Sequence, residues 1–140
     1  MQNTRLHPAA GDAADPLSPV NWANPANSRY YTVVVQYTAR LNTEKLHSYL
    51  HKLNGGKVGK QFFNLRLAPE EVNDALSGYT HNAVTPVGMA CSLPLILSHR
   101  IAELQPGVFF LGAGEVDLKV GLSVTQFMQA YKPMVADITY

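Results

Sequence analysis

The sequence predicts an α+β domain in which helices pack against a strongly bent, mixed β-sheet. Three observations predict it. Tyr30 to Tyr37 is dense in Val, Tyr and Thr, the composition of a strand covered on both faces. Leu46, Tyr49, Leu50 and Leu53 recur at helical spacing, and apolar runs with a Gly112-Ala113-Gly114 turn between them fill the second half. With 140 residues, 46% hydrophobic and 15% charged, the chain suits one domain over 1–140 with a real core.

The elements follow in order. Met1 to Leu6 reads either as a strand or as a disordered leader. From His7 to Arg29 the chain is a long irregular surface loop, because Asp15-Pro16, Ser18-Pro19 and Asn24-Pro25 deny it both a helix and a ladder. Trp22, its largest apolar residue, is expected to pin the loop to the domain rather than to serve as a stacking platform for a base. The Tyr30–Tyr37 strand is expected at the centre of the sheet. Asn42 caps a helix that Asn54-Gly55-Gly56 stops. His47 and His51, one turn apart and off the apolar stripe, lack a third ligand for a metal and read as a solvated pair. Phe63, Leu65 and Leu67 alternate with Asn64 and Arg66, so a strand buries the first set and shows an amide and a guanidinium on its other face. Pro69, Glu70 and Glu71 open a helix with Val72, Ala75 and Leu76 inward, and Gly78 ends it. Strands are expected at Leu93 to Leu97, Val108 to Leu111 and Glu115 to Val120, the last two forming a hairpin. A short helix lies near His99 to Leu104. Ser123 and Gln126 fit a capping box for a last helix, which Pro133 ends before a strand from Met134 to Thr139.

Composition narrows the function. A net charge of +1 gives no footprint for duplex DNA or an anionic membrane, and no apolar run is long enough to cross a bilayer. The single Cys91 cannot form an intramolecular disulfide, and the start of the chain has no basic-then-apolar pattern, so a reducing, cytoplasmic setting is expected. Cys91 enters an apolar strand without a partner at ligand spacing and reads as a buried structural thiol. Gly112-Ala113-Gly114 lacks the third glycine and the strand-to-helix context of a dinucleotide site, and no Walker lysine follows. No metal or cofactor is expected. Glu115, Asp117 and Lys119 read as the solvent face of a strand.

The segment that reads as a site is Gly78-Tyr79-Thr80-His81-Asn82-Ala83-Val84-Thr85-Pro86-Val87-Gly88, an irregular stretch long enough to turn backbone amides and polar side chains toward a ligand. Each residue also has a plainer role: His81-Asn82 as a turn pair, Pro86 as a fixer of loop shape, Arg66 as a partner for Glu70 or Glu71.

The order of Phe63-Asn64-Leu65-Arg66-Leu67, an acidic helix, the Gly78–Gly88 loop, Gly112-Ala113-Gly114 and a capped last helix resembles the YbaK/prolyl-tRNA-synthetase-associated editing domain, in a eukaryotic-type version. The resemblance covers most of the chain after Arg29. It implies a mixed, barrel-like α+β sheet and an aminoacyl-tRNA deacylase acting in trans on mischarged tRNA such as Cys-, Ala- or Ser-tRNA. Its implied partners are the aminoacylated 3′ end of tRNA and a synthetase. The implied substrate-binding set is His81, Asn82, Ala83, Thr85, Pro86, Gly88, Gly112, Ala113 and Gly114, with Asn64 and Arg66.

Two departures stand out. Many members carry paired glycines where His81, Asn82 and Ala83 stand. The family's lysine lies on the strand before the early loop, whereas no lysine here precedes Lys45. The expectation is therefore a chain that starts a few residues late and lacks its catalytic lysine. The alternatives are a non-catalytic module that binds tRNA or a synthetase and, in third place, a hydrolase of another small ester or amide.

Overall fold

The computed structural model describes residues 1–8, 10 and 14–140; the parts of the early loop at 9 and 11–13 lie outside the described residues. The elements are β1 (Gln2–Asn3), β2 (Thr32–Val34), α1 (Thr43–Leu53), β3 (Leu65–Arg66), α2 (Glu70–Ser77), β4 (Leu95–Ser98), α3 (His99–Ala102), β5 (Val108–Gly112), β6 (Lys119–Ser123), α4 (Val124–Tyr131) and β7 (Met134–Ala136). Short 3-10 turns occupy Pro19–Trp22, Pro25–Asn27 and Lys60–Phe62.

The expected α+β class holds, but the bent, barrel-like sheet does not. The strands fall into a three-stranded parallel sheet ordered β2-β4-β7 and two separate antiparallel pairs, β1-β3 and β5-β6. A barrel needs one ladder that closes on itself. Here strands of two to five residues are too short to carry it. The β5-β6 hairpin meets the parallel sheet through side chains instead, with Phe109 in a cluster with Val34, Leu97, Ile101, Val124 and Phe127.

The middle of the parallel sheet is β4, not β2 as the Tyr30–Tyr37 reading expected. Its side chains alternate between two cores: Ile96 joins Tyr31, Leu46, Leu50, Phe63, Leu65 and Ile138 on the α1 side, while Leu97 joins the Phe109 cluster on the other. Outside the parallel sheet, Tyr30 bridges to Gln2, and Asn3 donates its backbone N–H to Arg29.

The α1 helix forms as its sequence dictates. The Asn42 side chain accepts from the Lys45 N–H, Leu46 and Leu50 are fully buried, and Gly55 and Gly56 take positive φ just past its end. Leu53 is exposed and lies outside the buried stripe. His47 is not a solvated residue. It is half-buried, and its Nε2 accepts a 3.0 Å hydrogen bond from the Leu65 N–H, tying α1 to β3. Burial holds its pKa below the usual 6.5, with Glu44 pulling more weakly the other way.

Three further expectations are corrected. Leu67 is 86% exposed, since β3 ends at Arg66 and the alternation is not carried on by a ladder. Ala75 is exposed while Leu76 is buried. The strand expected at Glu115 to Val120 is displaced to Lys119–Ser123, so Glu115 and Asp117 lie in the turn rather than on a strand face. Gly112 pairs with Lys119, and the intervening residues close through Ala113 N–H to Leu118 O and Leu118 N–H to Glu115 O.

The early segment is held by buried polar groups beside half-buried Trp22. Buried Asn21 donates through Nδ2 to the Asp15 and Pro16 carbonyls, and buried Ser28 donates to Asn21 O and Tyr30 O. The Tyr31 hydroxyl, pushed up to about 12 by burial, accepts from Ser28 N–H and donates to Pro25 O.

Candidate functional site

The loop after α2 is closed at its neck. Gly78 leaves the helix at φ 78°, and the chain returns so that the Ala90 and Cys91 N–H groups donate to the Ser77 and Leu76 carbonyls. Ser77, buried, accepts from the Tyr79 N–H. A compact loop with joined ends holds its backbone on the scaffold without a ladder.

Inside the loop, Ala83 donates to Thr80 O across a turn in which Asn82 sits at φ 67°, a left-handed position that Asn tolerates. Ala83 and Thr85 are buried, and Thr85 Oγ1 accepts from the Val87 N–H at 3.3 Å. His81, Asn82 and Gly88 are exposed, and Pro86 is half-buried.

Tyr79 is the strut of this arrangement. Its hydroxyl donates to Val87 O. A Cβ added to Gly88 would lie 3.0 Å from that hydroxyl, and one added to Gly114 would lie 3.0 Å from the ring. Both glycines have positive φ, 67° and 93°, so absence of a side chain and backbone freedom are needed together. Sequence reading placed Tyr79 in the loop without giving it a role; an aromatic directly after a helix-stopping glycine, between glycine-bearing turns, was the available signal.

The two turns expected to form one site are neighbours. Gly112 approaches Thr85, a Cβ there falling 3.6 Å from the Thr85 Cβ and 3.7 Å from Val84 O, and Gly114 backs the Tyr79 ring. The hairpin turn thus buttresses the loop. Two cavities open beside the loop, and neither is lined by Gly112, Ala113 or Gly114. One, of about 370 Å³, is lined by Val84, Leu67, Ala68, Asn73, Tyr30 and Val35 among others. The other, of about 630 Å³, is lined by Pro86, Gly88, Trp22, Cys91, Tyr131 and Lys132 among others. Thr32, Met89 and Leu93 line both, and Thr32 Oγ1 donates to the Met89 sulfur at 3.5 Å, which places this pair at the boundary.

Asn64 and Arg66 are not brought into either cavity. The backbone of half-buried Asn64 is bonded to Asn3 Oδ1 and to Thr4, and exposed Arg66 makes no ion pair with Glu70 or Glu71 among the described residues. Cys91 is half-buried rather than buried, and desolvation pushes its thiol up, which leaves it a poor nucleophile. Among the described residues no group of three or more His, Cys, Asp or Glu is placed to hold a metal ion.

A profile of the aminoacyl-tRNA editing domain matches residues 23–130. No curated protein is similar enough in sequence to add to this. Among solved structures the chain is similar to hypothetical protein APE2540 (23% identity, TM-score 0.62), to a chain from a computational epitope-grafting study on scaffold proteins (21%, 0.63) and to a protein described as a candidate trans-editing enzyme for prolyl tRNA synthetase (22%, 0.63). Each similarity covers 79% of this chain and 65%, 62% and 62% of the respective partner, so the chain spans less than two thirds of their lengths. At these identities the likeness is one of fold. With the profile spanning most of the sequence and containing both glycine-bearing turns, the chain belongs to the aminoacyl-tRNA editing domain family.

Proposed function

We propose that the chain serves as a trans-editing aminoacyl-tRNA deacylase module in the cytoplasm, with tRNA and a synthetase as partners, and that the Gly78–Gly88 loop meets the charged 3′ end. The observation that carries this reading is the packing of the loop on the hairpin turn through Tyr79, within the matched family region.

An aminoacyl ester is already activated. Water adds to its carbonyl carbon, the bond to the ribose oxygen breaks, and free amino acid and tRNA hydroxyl leave. The protein's part is to hold the carbonyl and to stabilise the developing oxyanion, for which fixed backbone amides are suited. A preorganised donor of this kind is worth roughly 3 kcal/mol, about a hundredfold in rate. In this reading the amides of Val84, Thr85 and Gly88 face the substrate, exposed His81 and Asn82 shape its recognition, the Thr85 hydroxyl holds the Val87 amide, and Gly112 to Gly114 hold the loop in place. Asn64 and Arg66 serve at most as outer contacts to the RNA.

A second reading is a module that holds a tRNA end or a synthetase without hydrolysis, and the raised pKa of Cys91, which makes it a poor nucleophile beside the loop, is compatible with it. One experiment separates them: the protein is incubated with labelled Cys-, Ala- and Ser-tRNAs, and ester loss is measured beside gel-shift binding. Turnover that falls in His81→Ala and Thr85→Val supports the deacylase; retention without ester loss supports the module. Neither binding nor turnover on any tRNA would reject both.

A further inference from the structure

We propose that the outer edge of β5 and the groove beside it form a docking site for an extended, acidic segment of a protein partner, which adds to the β5-β6 hairpin as a third strand. The proposal goes beyond the editing reading and stands without it.

Among the described residues β5 pairs with β6 alone, so its other edge carries no strand. Folded proteins usually blunt such an edge with a charge, a proline or a bulge. Val108-Phe109-Phe110-Leu111-Gly112 has none of these, and its register with β6 is continuous. Along this edge lies a cavity of about 270 Å³. Phe109, Phe110 and Leu111 all line it. Successive side chains of a strand point to opposite faces, so three in a row place the opening at the edge of β5 rather than on one face. Val35 to Thr38, the chain leaving β2, forms the other wall, and buried Val34 and Ile101 give the groove an apolar floor.

Two rings stand at the rim. Tyr37 is fully exposed and Phe110 is 72% exposed. Phe110 is nonetheless held in place: Gly121 lies opposite it in the ladder, and a Cβ there would fall 3.0 Å from the ring. An anchor fixed before binding loses little freedom on binding.

Charge sets the kind of segment that fits. Arg40 follows Thr38 by two residues and Arg100 precedes Ile101, and both turn to Tyr140: the Arg40 guanidinium lies 5.5 Å over its ring, and Arg100 Nη2 donates to its carbonyl at 3.3 Å. Two guanidiniums thus meet at this end of the groove, and neither pairs with a carboxylate among the described residues. Glu103, beside Leu104, sets a single acid against them. Apolar residues in alternation, followed by Asp or Glu, complement this surface.

The position suits a partner that must not obstruct the loop. Thr32, Leu93 and Met134, at the amino ends of β2, β4 and β7, line the cavity beside Pro86 and Gly88. The β5 groove lies past the carboxyl ends of β2 and β4, at the opposite end of the same parallel sheet.

The test is selection of a phage-displayed library of random dodecapeptides against the whole protein, with enriched peptides synthesised and read by fluorescence anisotropy. We expect an alternating apolar pattern ending in Asp or Glu, and slowed amide exchange over Phe109 to Leu111 in the complex. Phe110→Lys should weaken binding at least about tenfold. The double change Arg40→Glu and Arg100→Glu should cost about tenfold and remove most of the salt dependence; it keeps the question answerable if Phe110→Lys lowers the thermal midpoint. Gel shifts of the tRNAs should be the same with and without peptide. No enrichment, enrichment of peptides without acids, binding that survives both variants, or competition with tRNA each overturns the proposal. Concentration-dependent dimerisation in sedimentation that Phe110→Lys abolishes would make a second copy the occupant and overturn the partner segment. Ester loss, or its absence, bears on the loop alone and leaves these outcomes unchanged.

Discussion

The α1 core and the Gly78–Gly88 loop are held by opposite means. On the core side, Leu46, Leu50, Ile96 and Ile138 are fully buried, and cohesion comes from apolar area removed from water. The loop has few buried apolar groups of its own. It holds its shape through a closed neck, two hydrogen bonds to Val87 and a tyrosine wedged against two glycines. The lesson is that the core has stability to lose and the loop has geometry to lose, and substitutions should separate the two.

The largest expected effect is in the core. Leu50→Ala, which leaves a cavity under α1, should cost roughly 2–5 kcal/mol in urea unfolding. If the cost is below 1 kcal/mol, α1 is not the cohesive element and the contrast fails.

Next comes Gly114→Ala. It combines positive φ with a Cβ contact at 3.0 Å on the Tyr79 ring, and strain of this kind is worth about 1–3 kcal/mol. The expected signature is a modest drop in thermal midpoint with a disproportionate loss of tRNA binding. Equal loss of both would mean that the hairpin turn only stabilises the fold.

Tyr79→Phe sharpens the same point. It keeps the ring between the glycines and deletes the hydroxyl that donates to Val87 O, so about 1 kcal/mol of stability should go. Unchanged unfolding together with unchanged binding would show that the wedge, not the hydrogen bond, shapes the loop.

Acid should act on the core side. His47 has a folded-state pKa below 6.5, so the unfolded chain takes up the proton first and stability is full above that value. It is lost as pH falls through 6.5 toward the folded value, because protonation removes the acceptor for the Leu65 N–H. The urea midpoint should therefore drop between pH 7.5 and 5.5, and His47→Gln should flatten that drop; the same slope in both proteins would show that other groups carry it.

The smallest effect on stability belongs to His81→Ala. The residue is exposed, and its removal should change stability by no more than about 0.5 kcal/mol. A full-sized loss of ester hydrolysis with unchanged unfolding would place His81 at the substrate; parental rates would take it out of the site.

Sequence patterns were legible where a local signal and a packed partner agreed. Asn42, the Leu46/Leu50 stripe and Gly55-Gly56 each dictate part of α1, and Ser123 and Gly78 act in the same way at the ends of α4 and α2. They failed where alternation ran past its ladder. Leu67 continues the rhythm of Phe63 and Leu65 but has no partner strand, and Glu115 to Leu118 alternate like a strand although the turn back from Gly112 consumes them. The proximity of the two glycine-bearing turns was readable in outline. Contact through Tyr79 was not, because it depends on two φ values and one ring position that no spacing rule encodes. The missing barrel has the same origin: composition tells which runs form strands, while closure depends on register between runs far apart in sequence.

One bond in the core also competes with chelation by His47 and His51, a spacing familiar from zinc-binding helices. The lone pair that a metal would claim on His47 is already occupied by a main-chain amide of β3. A transition-metal ion that bound His47 through Nε2 would have to evict Leu65, so retention through that nitrogen on an immobilised nickel surface should rise as the two-residue strand lets go, making such chelation a readout of local opening.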